Sequence, residues 1–378
     1  MSEILYSNTY SIDKNQEVDK IMGIFVRQRR KCCDKCHFEL NDQLFDINTP
    51  FYMATEKFDH NPEHANRRIR KRKRNLYEDS LEPGYKQVIK KLREECRHLL
   101  DNQVLVFNND KSRLIAVNFD SAETKRTKSF IFGSSQCTLT TENLVVPRNC
   151  IYFAGDVFDG LDQFEYGLKH CQFLISESFD IVIDPPWPSK SVRRKNTYET
   201  QDIHLIDHVF SRINELSQNL TRTNSILLAV WTTHKFLEYT VNQVKSCSKE
   251  TCVILWHKIT KSGESAKVRG SAEYLVIGEF TSNRPGLGHK SSTRAVIMSV
   301  PSSIHSHKPP INARDIYALI NGKKLVALED INQQTGTSAI TVNGLELFAR
   351  RLSSSIFSIG DEVLKLQSAS LYHKASPD

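Results

Sequence analysis

From Asn149 onward, short apolar runs alternate with stretches in which apolar residues recur every three or four positions. That alternation predicts strands and helices in turn, and hence an α/β fold built on a parallel sheet. Cys150-Ile151-Tyr152-Phe153 predicts a strand that stops at Ala154-Gly155-Asp156. Ile181-Val182-Ile183 predicts a second strand, covered on both faces. It ends at Asp184-Pro185-Pro186-Trp187, because the two prolines continue neither a ladder nor a helix. Ile203, Ile206, Phe210, Ile213 and Leu216 share one face of a helix. Ile226 to Trp231 reads as a third buried strand, and Leu237, Val241 and Val244 as the next helix. Cys252 to Trp256, Tyr274 to Ile277 and Ala295 to Met298 follow with few helical residues between them, which predicts antiparallel additions at one sheet edge. A helix over Ile311 to Ile320 and a final strand over Leu345 to Ala349 complete the pattern.

Upstream the pattern is weaker. Val88, Leu92, Cys96 and Leu99 predict a helix within Leu81 to Leu100, opened by Pro83-Gly84. Val104 to Phe107 and Leu114 to Val117 read as strands around Asn108-Asn109-Asp110, and Ser129 to Phe132 with Leu144 to Val146 as a further pair. These predict an antiparallel accessory region over 81–148. Residues 1–80, with only fragments of periodicity, are expected to form a small or peripheral module, and 149–378 the main domain.

Composition is that of an ordinary globular protein, with 39% hydrophobic and 25% charged residues in 378. No apolar run approaches the roughly 20 residues that span a bilayer, and Met1 to Tyr10 lacks the pattern of a secretory signal, so an intracellular, soluble protein without membrane partners is expected. Nine cysteines, an odd number, argue for reduced thiols. Cys33, Cys36 and His37 match half of a zinc site, but no second cysteine pair stands at suitable spacing, so they read as local thiols and no metal is expected. The formal net charge of +7 is matched by one run, Arg67, Arg68, Arg70, Lys71, Arg72, Lys73 and Arg74. That run reads as a nuclear-import or nucleic-acid patch, against a plain solvated loop.

The chemistry is expected where the strands end, since open parallel sheets bind ligands at their carboxyl edge. An exocyclic base amine is a poor nucleophile, because its lone pair is delocalised into the ring. A site that methylates it must accept the amine hydrogens. The Asp184 carboxylate and the Pro185 carbonyl offer two acceptors on a turn stiffened by Pro186. Trp187 can stack on the base, and Trp231 or Trp256 can wall the pocket. The competing reading is a proline-rich turn whose tryptophan caps the core.

Here the chain resembles the DPPW-type N6-adenine methyltransferases of the MT-A-seventy-like family, from about Asn149 to Gln367. The resemblance rests on Asp184 to Trp187 and on blocks in the same order: Ser189 to Arg194, Ile259 to Glu264, Val300-Pro301, Ile304 to Pro310 and Leu345 to Arg350. It implies a Rossmann-like sheet with helices on both faces and S-adenosyl-L-methionine as cofactor. Asp156 and Val157 would then lie beside the cofactor, Lys308 would pair with its carboxylate, and Arg350, Asp361 and Glu362 would lie near its ribose. Glu273 would face the substrate. The chain departs from the family pattern at Gly360-Asp361-Glu362, where Gly-Asn is usual, and Lys323 to Asn343 reads as an inserted, solvated loop.

Two basic loops are expected to flank the pocket: Lys190, Arg193, Arg194, Lys195 and Tyr198 after one strand, and Lys261, Lys267 and Arg269 after another. The resemblance makes RNA the expected partner, specifically 2′-O-methyladenosine in a small nuclear RNA, with DNA adenine as the alternative within the same chemistry. No obligate partner subunit is expected. A nucleic-acid-binding scaffold with a decayed site is the rival of a different class.

Overall fold

The computed structural model describes residues 3–14, 17–27, 38–45, 47, 81–101, 131–132, 138–139, 144–147, 149–170, 173–188, 203–220, 225–266, 272–280, 293–304, 307–309, 313–321 and 340–374. Its centre is one mixed sheet of 11 strands. In chain order these are β1 (Glu3–Lys14), β2 (Glu17–Arg27), β4 (Ile131–Phe132), β7 (Ile151–Phe153), β8 (Phe173–Ile183), β9 (Ser225–Thr232), β10 (Ser248–Lys258), β11 (Ala272–Phe280), β12 (Thr293–Ser299), β13 (Ile340–Leu347) and β14 (Ile356–Ile359). Strands β3 (Phe38–Leu40) and β15 (Tyr372–Lys374) pair separately, as do β5 (Thr138–Leu139) and β6 (Val145–Val146). The order across the sheet is β1-β2-β12-β10-β11-β9-β8-β13-β14-β7-β4.

Direction along this sheet decides where chemistry collects. Strands β7, β14, β13, β8 and β9 are mutually parallel, and β11 is antiparallel to both β9 and β10, so β10 and its parallel partner β12 point the same way as the rest. The segments that follow all of these strands therefore meet along one edge. Because β11 runs the other way, it brings its first residues to that same edge.

Helices cover both faces, as the apolar spacing requires. On one face lie α2 (Val157–Lys169), α3 (Ile203–Asn219) and α4 (Leu237–Cys247), which contribute Leu161, Phe164, Ile206, Phe210, Ile213 and Val244 to a core shared with Phe173, Phe179, Ile181, Ile183 and Val230. Phe164 sits at its centre, 5.4 Å from Phe173, 6.0 Å from Phe179 and 5.2 Å edge-on to Phe357 between ring centroids. On the other face α5 (Ala313–Ile320) packs Ile316, Tyr317 and Ile320 on Leu227, Ala229, Ile254 and Ile277. The amphipathic helix α1 (Pro83–Asp101) lays Tyr85, Val88, Ile89 and Leu92 against Leu255, Tyr274, Val296 and Met298. None of the described helices is long and apolar enough to cross a membrane.

Several sequence expectations are corrected. The late strands are not antiparallel additions at an edge: β10 and β12 are parallel, and the one antiparallel strand among them, β11, lies inside the sheet. Few intervening helical residues did not force hairpins throughout. The two short strands near 130 and 145 do not pair with each other; β4 joins β7 at the sheet edge and β6 pairs β5. The N-terminal segment is not peripheral, because β1 and β2 form an antiparallel ribbon and β2 adds in parallel to β12 through Ile21 to Phe25. Backbone pairing of this kind requires no long apolar run. Strand β13 starts at Ile340, inside the expected loop, and β14 and β15 follow it, so it is not the last strand. Cys33, Cys36, His37, the run 67–74 and the expected strands at 104–107 and 114–117 lie outside the described residues. Cys96, Cys150, Cys247 and Cys252 are in the reduced form.

Candidate active site

Asp184 leaves β8 with its backbone N–H donating to the Leu347 carbonyl of β13 at 3.3 Å, so the start of the turn is fixed by the sheet. Three residues on, the Trp187 N–H donates to the Pro185 carbonyl at 2.8 Å. This closes a three-residue turn centred on Pro186, whose ring-locked φ suits that geometry. The Pro185 carbonyl thus keeps one lone pair for any other donor.

Trp187 does not stand open as a stacking platform. It is buried, stacked on Phe236 at 4.8 Å, edge-on to Tyr239 at 6.1 Å, and its Nε1 donates to the Trp231 carbonyl at 2.9 Å. An indole whose face and N–H are both satisfied inside the protein anchors the turn. In this respect the core-capping reading is the correct one for Trp187.

The Asp184 carboxylate projects into a chain of ion pairs. Lys308 Nζ lies 3.2 Å from Oδ1, and Arg350 Nη1 3.4 Å from Oδ2. Lys308 also contacts Glu273 Oε2, and Lys258 Nζ lies 2.6 Å from Glu273 Oε1. On the other side Arg350 Nε is 3.2 Å from Glu362 Oε2, and Lys365 Nζ is 2.7 Å from Glu362 Oε1. The side chains from Lys258 to Arg350 are only 12–17% exposed. At that burial removing one partner leaves an uncompensated charge on the other.

Each member reaches this place for a local reason. Lys308 precedes Pro309, which favours extended backbone, and follows a buried His307 whose Nδ1 is 2.8 Å from Ser302 Oγ. Burial, with the nearby Arg351 charge, pushes the His307 imidazole down to about 3, so it is a neutral structural group. Arg350 is delivered by a tight reversal after β13, in which Phe348 adopts φ 57° and the Ala349 N–H donates to the Ile359 carbonyl at 2.8 Å. A bulky residue in the left-handed region costs on the order of 1–3 kcal/mol. Gly360 is what allows the approach, because a Cβ there would meet the Ala349 carbonyl oxygen at 2.7 Å. Glu273 stands opposite Trp256 in the β10–β11 register, with its neighbours Trp231 and Trp256 behind the ion chain.

Electrostatics follow from the pairing. Burial alone would raise the Glu273 carboxyl, yet the ammonium groups of Lys308 and Lys258 hold it well below the usual range. Burial opposes the charge on Lys308, but Asp184 and Glu273 together raise it above the ordinary lysine value. Glu346, the last residue but one of β13, is pushed up by burial, and Asp184 adds to that shift. Both tryptophans are occupied: Trp231 and Trp256 meet edge-on at 5.9 Å, Lys308 Nζ lies 5.4 Å from the Trp231 ring and Lys258 Nζ 4.3 Å from the Trp256 ring. They back the cations rather than wall an open pocket.

A family comparison fits this edge. Residues 179–362 match the model of the MT-A70 family. Among curated proteins the chain is similar to mouse N(6)-adenine-specific methyltransferase METTL4, at 27% identity over 74% of this chain and 56% of that one. The N6-methyladenosine RNA methyltransferase MTA1 of Cryphonectria parasitica is 32% identical over 59% of this chain and 60% of its own length. A DNA N6-methyl methyltransferase of Caenorhabditis elegans is 29% identical over 60% of this chain and 55% of its own. The chain thus spans little more than half the length of these relatives.

The MT-A70 match includes Asp184, Glu273, Lys308 and Arg350 and ends at Glu362. Of the other expected residues, Asp156 is exposed after β7 and its carboxylate caps α2, accepting from the Phe158 N–H at 2.8 Å. Val157, expected beside the cofactor, turns its side chain into the hydrophobic core. Asp361 is exposed after β14, at the same edge. Lys190, Arg193, Arg194, Lys195 and Tyr198 lie outside the described residues, as do Lys267 and Arg269. Lys261 is described, and its backbone N–H donates to the Ile47 carbonyl at 3.0 Å. Two members of the ion chain were not foreseen, Lys258 and Lys365. The signal for Lys258 was the hairpin register: with Trp256 opposite Glu273, a residue two positions on is the diagonal neighbour.

Proposed function

We propose that this protein is an S-adenosylmethionine-dependent methyltransferase acting on the N6 amine of adenine in nucleic acid, with Asp184 to Trp187 as its reaction site. The observation that carries the reading is the Asp184 carboxylate, held between Lys308 and Arg350 at the carboxyl edge of the sheet within the MT-A70 match. The donor set suits the cofactor: Lys308 for a carboxylate, and Arg350, Asp361 and Glu362 for ribose hydroxyls. When bound, that cofactor supplies an electrophilic methyl group.

The chain's own residues then have separate tasks. Asp184 and the free lone pair of the Pro185 carbonyl accept the amine hydrogens, favouring a nitrogen whose lone pair is released from the ring. Lys308 and Arg350 keep the carboxylate oriented, and no rearrangement is needed as charge develops. Trp187, locked on Phe236 and Trp231, keeps the turn rigid. For the substrate, we favour a 2′-O-methyladenosine in a small nuclear RNA, bound by the basic loops around Lys190 to Tyr198, with DNA adenine as the second reading because the relatives' names divide between RNA and DNA. The run 67–74 is proposed to direct the protein to the nucleus.

Mass spectrometry of N6-methylated nucleosides, after incubation with S-adenosylmethionine and matched RNA and DNA oligonucleotides with and without a 2′-O-methyl group, tests this. Methylation greatest on 2′-O-methyl RNA is expected. Methylation of DNA alone would select the second reading, and none on any adenine would leave the scaffold.

A further inference from the structure

Lys258 has no task in the scheme above, although it ends β10 at the ligand edge with a side chain only 12% exposed. Its Nζ contacts Glu273 Oε1 at 2.6 Å and lies over Trp256. Glu273 gives its second oxygen to Lys308, and Lys308 in turn reaches Asp184. Lysine is a compact point charge on a flexible stem, so the place of the Lys308 ammonium is set by its partners rather than by its own geometry. Two carboxylates compete for it. A Glu273 already satisfied by Lys258 competes less.

We propose that Lys258 is a positioning residue of the methyl-transfer site: by anchoring Glu273 from the far side, it sets where Lys308 stands between Glu273 and Asp184. This rests on the proposed function and deepens it. The charged groups around Glu273 are Lys258 from β10 and Lys308 from the segment after β12, with Asp184 after β8 and Arg350 after β13 beyond Lys308. Without Lys258, Lys308 is the one cation left in contact with Glu273 among the described residues, and it is drawn toward that carboxylate. The donor carboxylate that Lys308 would hold then meets a displaced ammonium.

The test compares the parent, Lys258→Met and Lys258→Arg. Methionine keeps the apolar stem over Trp256, and arginine restores the charge. Steady-state kinetics on an adenine oligonucleotide between about pH 5 and about pH 9 are run beside a carboxyl NMR titration of Glu273, assigned with Glu273→Gln. In Lys258→Met, KM for S-adenosylmethionine is expected to rise roughly ten- to a hundredfold. The Glu273 titration should move to higher pH, since one of the two cations that keep this carboxyl ionised is gone. Lys258→Arg should restore both. A Lys258→Met variant with parental KM and an unmoved Glu273 titration overturns the proposal, as does a loss that arginine does not rescue and that leaves the Glu273 titration in place. If the parent transfers no methyl group to adenine, the proposed function falls; an unmoved Glu273 titration would then overturn the hold of Lys258 on Glu273 as well, and a moved one would support it.

Discussion

Asp180 lies within β8 and Asp184 just past its end, four residues apart, and each side chain is 14% exposed and paired to an arginine. Their surroundings differ. Asp180 meets Arg314 of α5 at 2.6 Å, and that guanidinium also donates to Ser225 Oγ at 3.0 Å and to the backbone carbonyls of Phe179 and Ser225. The cluster pins α5 to β8 and β9, and Ser225 Oγ donates onward to Glu279 Oε1 at the end of β11, at 2.6 Å, away from the ligand edge. Asp184 shares two cations that are themselves shared, in a chain that runs across the edge ends of β10, β11, β8, β13 and β14 and takes in the segment after β12, at the ligand edge. Exposure does not separate a staple from a site here; connectivity does.

The contrast breaks most sharply at Arg314. Arg314→Met should cost about 3–5 kcal/mol of stability, because Asp180 is left buried without its cation, while turnover per folded molecule stays at the parental level. Denaturant unfolding with an activity assay checks both halves. The sign with pH is fixed by Asp180: burial pushes its carboxyl from an ordinary 3.8 up to about 6 even with Arg314 present, so the folded form binds its proton more readily than the unfolded chain. The folded state is therefore favoured as pH falls from about 6 towards 3.8; without Arg314, which lowers this carboxyl, the variant takes up its proton above about 6, so the loss in Arg314→Met should shrink as pH falls towards about 6 and stay level below it.

Asp184→Ala should do the reverse, reducing methyl transfer by about 10²–10³-fold with a smaller effect on unfolding, since Lys308 and Arg350 keep Glu273 and Glu362 as partners. Glu273 gives the opposite pH sign from Asp180. Its folded carboxyl lies below the unfolded value of 4.5, so its contribution is present above that value and is lost as pH falls below it. Unfolding of Glu273→Gln should accordingly lack part of the parent's acid sensitivity below about pH 4.5. The smallest effect is expected at Trp187→Phe, which keeps a ring on Phe236 and removes the hydrogen bond to Trp231, worth about 0.5–1.5 kcal/mol. A far larger loss of transfer in Trp187→Phe than in Asp184→Ala would show that the indole contacts the base.

Much of this was legible in the chain because parallel strands announce themselves. Ile226 to Trp231 is buried on both faces, Ile181 and Ile183 are buried with Val182 half-buried between them, and prolines mark where that run stops. Asp184, Lys308, Arg350 and Glu273 were named from the sequence and do come together. What the sequence hid was pairing that depends on sheet order. Nothing in Ser248 to Lys258 says that β10 takes β12 as a parallel neighbour, and nothing local says that β2 will extend the sheet. Strand β14 has four residues, too few to show an alternation, and the reversal at Phe348 requires a backbone angle its residue type disfavours. The inward turn of Trp187 depends on Phe236, 49 positions away, which no local pattern connects to it.

The central claim is that the Asp184 turn carries the transfer. The most direct measurement is the yield of N6-methyladenosine from an adenine oligonucleotide and S-adenosylmethionine, by mass spectrometry, for the parent and for Asp184→Ala folded to the same extent. Product from the parent and a loss of at least about 10²-fold in the variant are predicted; equal yields from the two proteins would contradict the account.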